Sequence, residues 1–61
     1  MNTITYRWKN WESIKPIVDY IENNFPCFIS VCHAMNYVRI ECRKEDARRI
    51  KYLLNHFEKK Y

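Results

Sequence analysis

The 61-residue chain contains no glycine at all. The two common phosphate-cradling loops need residues without side chains so that backbone amides can approach the anion, so neither loop can be built here. Long apolar runs are also missing, which leaves no candidate membrane span. The stretch from Met1 to Arg7 lacks the apolar core of a secretory signal. The chain is therefore expected to stay in the cytoplasm where it is made. Cysteines number three, an odd count that cannot close a full set of internal disulfides. Reduced thiols in a cytosolic protein are the simpler expectation. Proline occurs only twice, at Pro16 and Pro26. No linker, repeat or low-complexity tract interrupts the chain.

At this length the whole chain, residues 1–61, is expected to form one domain. Chains near 60 residues bury only about 60% of their unfolded surface and are marginal alone. A homodimer or another partner is therefore expected before any motif is read.

Acidic residues are scarce in the second half. Residues 1–31 balance Arg7, Lys9 and Lys15 against Glu12, Asp19 and Glu22, whereas residues 32–61 carry eight bases and four acids. The whole net charge of +4 lies in that second half. Such a half suits an acidic protein surface or nucleic acid. Residues with AT-rich codons (Ile, Asn, Lys, Tyr, Phe) are abundant, which fits a phage or mobile-element origin.

Residues 3–8 alternate, with Ile4, Tyr6 and Trp8 on one face and Thr3, Thr5 and Arg7 on the other, and read as a strand. A helix follows, with Asn10 or Ser13 as its N-cap. If Ser13 caps, Pro16 falls in the first turn, where its missing N–H costs nothing; if Asn10 caps, Pro16 lies inside the helix and should kink it. Trp11, Ile14, Ile17, Val18, Ile21 and Phe25 form the apolar stripe, and the helix should end near Asn24 because Pro26 forces Phe25 into an extended conformation. Cys27–Cys32 and Tyr37–Arg43 read as two strands joined at Ala34-Met35-Asn36. Pairing His33 with Val38 would set Val31 opposite Ile40 and Ile29 opposite Cys42, apolar on apolar. The second helix should begin near Lys44 or Glu45, with Glu45 and Asp46 at its positive end and Lys59 and Lys60 at the other. Its stripe is Ala47, Ile50, Leu53, Leu54, Phe57 and Tyr61, and its outer face groups Arg48, Asn55 and Lys59, flanked by Lys51, Tyr52 and His56.

The expected fold is a small α+β domain of order βαββα, a three-stranded antiparallel sheet with both helices on one face. The order resembles a ferredoxin-like unit lacking its last strand, a likeness of topology that carries no function.

Catalytic groups are hard to assemble from these residues. Cys32 and His33 are adjacent, yet neighbouring strand residues project to opposite faces and do not share a proton easily. Cys27, Cys32, His33 and Cys42 supply enough donors for zinc, but Cys27 and Cys42 share the core face while Cys32 points away, and no glycine-containing knuckle gathers them. The cysteines read as small buried hydrophobes, with no metal or cofactor expected. A pocket of about 300 Å³ is also more than so small a domain readily spares. The chain reads as non-enzymatic, without catalytic residues.

The remaining reading is a small binding protein, expected to be homodimeric, that inhibits or regulates a protein partner such as a host or defence protein. Its expected contact residues are Phe28, Tyr37, Arg39 and Arg43 on the open sheet face and Arg48, Tyr52 and Lys59 on the second helix. Thr3, Thr5 and Arg7 on the first strand would form the dimer edge. Replacing Tyr37 and Arg39 together should leave the fold nearly intact. The alternative is a nucleic-acid-binding regulator using the basic C-terminal half: the open face resembles an RNA-binding sheet in outline, though it lacks that signature's glycines and closely spaced aromatics, or the second helix lies in a groove with Arg48, Lys51 and Lys59 touching phosphates. No membrane association is expected, since the apolar stripe of the second helix is needed for the core.

Overall fold

The computed structural model describes residues 2–56 in full and the backbone of residue 57. Strand β1 covers Asn2–Arg7, helix α1 Trp11–Asn24, strand β2 Cys27–Cys32, strand β3 Tyr37–Cys42 and helix α2 Lys44–Phe57. The expected α+β order is therefore present.

The sheet order is β1-β3-β2, with β3 antiparallel to both neighbours, so β1 and β2 run parallel with β3 between them. Alternation decides which residues face the helices. Ile4 of β1 and Val38, Ile40 and Cys42 of β3 form one wall of the core, which Ile14, Val18 and Ile21 of α1 and Ile50 and Leu54 of α2 complete. Both helices thus cover the same sheet face. Helix α1 packs along β2 and α2 along β1. Trp8, one residue past β1, is also buried and closes one end of the core.

Asn10 caps α1, its side-chain oxygen accepting the Glu12 amide at 3.0 Å. Pro16 consequently lies inside the helix and removes the donor that would reach the Glu12 carbonyl four residues back. The alternative start at Ser13 is not used. At the other end Phe25 is extended, and its amide donates to the Ile21 carbonyl at 3.0 Å. This is the restriction that Pro26 imposes on its predecessor.

The hairpin register differs from the sequence expectation by two residues. Val31 stands opposite Val38, Ile29 opposite Ile40 and Cys27 opposite Cys42. His33 therefore does not pair with Val38; it belongs to a four-residue turn, 33–36, that closes on Asn36 with φ of 57°. Asparagine tolerates that left-handed conformation better than other residues with a side chain. A two-residue shift preserves every side chain's face, so the core residues were placed correctly while their partners were not.

Candidate functional site

Across the open sheet face the residues form three rows. Thr3, Glu41 and Phe28 make the first, Thr5, Arg39 and Ser30 the second, and Arg7, Tyr37 and Cys32 the third. Phe28 and Arg39 are exposed, whereas Tyr37 is half-buried between its neighbours. Three of the expected contact residues, Phe28, Tyr37 and Arg39, therefore share this face.

Arg43 has a different place. It follows the end of β3, and its Nε donates to Asp46 Oδ2 at 2.8 Å while Glu45 lies 3.7 Å from the guanidinium. The hydrogen bond to Asp46 raises the arginine's proton affinity further. Its charge is directed at the start of α2, which also neutralises the two acids there. Lys59 lies outside the described residues, as do Lys60 and Tyr61 and the side chain of Phe57.

Arg48 and Tyr52 occupy the outer face of α2, on the side of the molecule opposite the open sheet face. The two sets therefore lie on different faces. What joins part of them is the outer margin of β1. An open groove of about 640 Å³ runs there, lined by Asn2, Thr3, Ile4 and Thr5 of β1 and by Ala47, Arg48 and Lys51 of α2. It is larger than the sequence expectation allowed for so small a domain because it lies open along a strand margin. Two groups that the sequence kept apart, the threonines of the first strand and the arginine of the second helix, thus face one another. Among the described residues β1 has no strand on its outer side.

Lys51, expected from the sequence as a phosphate contact only in the nucleic-acid alternative, is the other cation of this groove. It lies one helical turn from Arg48, and that spacing of three is the signal that could have included it. His56 is a second addition. Its ring stacks on Tyr52 with centroids 4.9 Å apart and planes inclined by 12°, one turn along the same helix. Arg48, Lys51, Tyr52, Asn55 and His56 together line a shallower hollow that adjoins the groove.

A third cluster was not legible in the sequence. Trp8 and Trp11 lie 4.7 Å apart between ring centroids, and His33 meets Trp11 edge-on at 4.7 Å and Trp8 at 5.5 Å. The residues come from three segments: the end of β1, the first turn of α1 and the hairpin turn. Their packing ties His33 into an aromatic wall.

The thiols follow the face assignment. Cys42 is buried and faces half-buried Cys27 across the hairpin, while Cys32 lies on the open side. Desolvation, and for Cys27 also the proximity of Cys42, pushes both inner thiols above their usual value. That direction keeps them protonated and weakly nucleophilic near neutrality. Among the described residues no group of three or more His, Cys, Asp or Glu side chains is placed to hold a metal ion. Among the same residues no helix is long and apolar enough to cross a membrane.

No family model, curated protein or solved structure matches this chain.

Proposed function

We propose that the chain is a small non-enzymatic binding module that takes an extended, acidic segment of a protein partner along β1 and thereby inhibits or regulates that partner. The groove between the outer margin of β1, which carries no further strand among the described residues, and the Arg48–Lys51 turn of α2 carries the reading. An unpaired strand margin offers backbone donors and acceptors to an incoming strand, and this mode of recognition gains its affinity from main-chain hydrogen bonds. The two cations beside the margin add selectivity for an acidic chain and speed its approach. A cytoplasmic site of action and a host or defence protein as target belong to the same proposal.

A second reading rests on the Tyr52–His56 stack beside Arg48 and Lys51. Aromatic faces next to cations suit the bases and phosphates of a single strand. The two readings separate in one titration. Fluorescence anisotropy is followed with an alternating Glu/Thr decapeptide, its Lys/Thr counterpart, and short duplex and single-stranded oligonucleotides, each from low to physiological salt. The proposal expects the acidic peptide to bind in preference to the basic one, with binding lost in Arg48→Glu/Lys51→Glu. Binding of oligonucleotides alone, with the steep salt dependence of phosphate contacts, would replace it with the nucleic-acid reading.

A further inference from the structure

The two margins of the sheet differ in chemistry. β1 carries Arg7 and borders Arg48 and Lys51, whereas β2 has the sequence Cys-Phe-Ile-Ser-Val-Cys without a single charge. Soluble proteins normally guard a free strand margin with charge, proline or a covering element. β2 has none of these within its length, and among the described residues no strand lies on its outer side. Exposed apolar side chains collect there too. Phe28 is 69% exposed, Val31 38% and Met35, in the following turn, 57%. Val31 is the telling case, because it lies on the sheet face that the helices cover, opposite buried Val38, and still remains open to solvent.

We propose that the occupant of this margin is a second copy of the chain, paired antiparallel through β2 about a two-fold axis perpendicular to the sheet. A self-complementary patch needs no opposite charge, and an uncharged apolar strand meets that condition. Side-chain alternation restricts the register, since core-side residues must meet core-side residues. Centring the axis on Ser30 sets Ile29 against Val31 of the second copy. Centring it on Ile29 sets Cys27 against Val31. Either way Val31 gains the apolar cover that its own helices do not supply.

The same operation on β1 is unfavourable. Antiparallel β1–β1 pairing would bring the α2 helices of two copies side by side on one sheet face, with Arg48 and Lys51 of each beside the shared seam. Four cations would then face one another. The self-association margin therefore moves from Thr3, Thr5 and Arg7 to β2, which is independent of what occupies the β1 groove. The resulting six-stranded sheet would leave both β1 grooves free at its outer margins. Five strand spacings of about 4.8 Å separate them by roughly 24 Å, so a dimer could engage two extended segments at once.

Sedimentation equilibrium of the intact chain, from about 1 to 200 µM, tests the pairing. The expected mass is twice the chain's 7.6 kDa at the upper concentrations. Val31→Lys and Phe28→Glu should each weaken self-association about tenfold or more with the helical circular dichroism unchanged. Thr5→Lys should leave it intact. Should Val31→Lys lose its helical signal, the exposed Phe28→Glu decides. A monomer throughout, or a dimer that survives both β2 substitutions or breaks with Thr5→Lys, would overturn the proposal.

Discussion

The backbone amide of Trp8 donates to the carbonyl of Asn36 at 2.9 Å, fastening the end of β1 to the turn between β2 and β3. The bond depends on the path of that turn, and the path depends on Asn36 holding a φ of 57°. Placing a β-branched residue there should be costly, because its Cβ meets the neighbouring carbonyl in the left-handed region. Asn36→Val is expected to lose about 1–2 kcal/mol, and Asn36→Gly to be nearly neutral. Thermal unfolding checks both, with a fall of roughly 4–8 °C expected per kcal/mol in a domain of this size.

Helix α1 holds two opposed local choices. Asn10 satisfies the Glu12 amide, and its replacement by Ala should cost about 1 kcal/mol while Asp is tolerated. Pro16 withholds a donor from the Glu12 carbonyl, so Pro16→Ala should raise stability by about 2 kcal/mol, the roughly 3 kcal/mol cost of an interior proline less about 1 kcal/mol for the looser unfolded chain. Urea midpoints of the three variants, at unchanged slope, are the readout. A destabilised Pro16→Ala would mean that the ring's place in the apolar hollow it lines with Ile17, Tyr20 and Leu53 outweighs the restored bond.

On the open face Tyr37 and Arg39 should separate. Arg39 is exposed, and Arg39→Ala is expected to stay within about 0.5 kcal/mol of the parent. Tyr37 is half-buried in a row with Arg7 and Cys32, so Tyr37→Ala should cost about 1–2 kcal/mol. The double substitution is thus expected to be less benign than the sequence alone implied. Chemical denaturation of the two single variants distinguishes them.

The inner thiols give a pH dependence of stated sign. In the unfolded chain they titrate near 9.0, and in the fold burial raises both. The stability associated with neutral Cys27 and Cys42 is full below that value. From about pH 9 upward the unfolded state releases protons that the fold retains, so stability falls with rising pH. Cys27→Ala/Cys42→Val should show a smaller alkaline loss than the parent when unfolding is compared at about pH 8 and pH 10. A thiol-reactive dye at neutral pH should label Cys32 first and Cys42 last. Equal loss in parent and variant would place the alkaline sensitivity in other groups.

The sequence by itself determined the elements and their faces. Period-two alternation in residues 3–8 and helical spacing from Ile14 to Ile21 are local properties, set by bond geometry and legible without a fold. The two-residue error in the hairpin shows where locality ends: alternation constrains only the parity of the register, and the turn conformation at Asn36 chooses among registers of equal parity. Placement of the contact residues went beyond that reach. Arg43 follows β3 and looks available in sequence, but the start of α2 supplies its acidic partners. Thr3 and Thr5 meet Arg48 and Lys51 only because β1 joins the sheet beyond β3 and α2 packs along it. More than forty residues separate those two sides of the groove. Their meeting was decided by burial of one shared core, a condition on the whole chain that no single segment expresses.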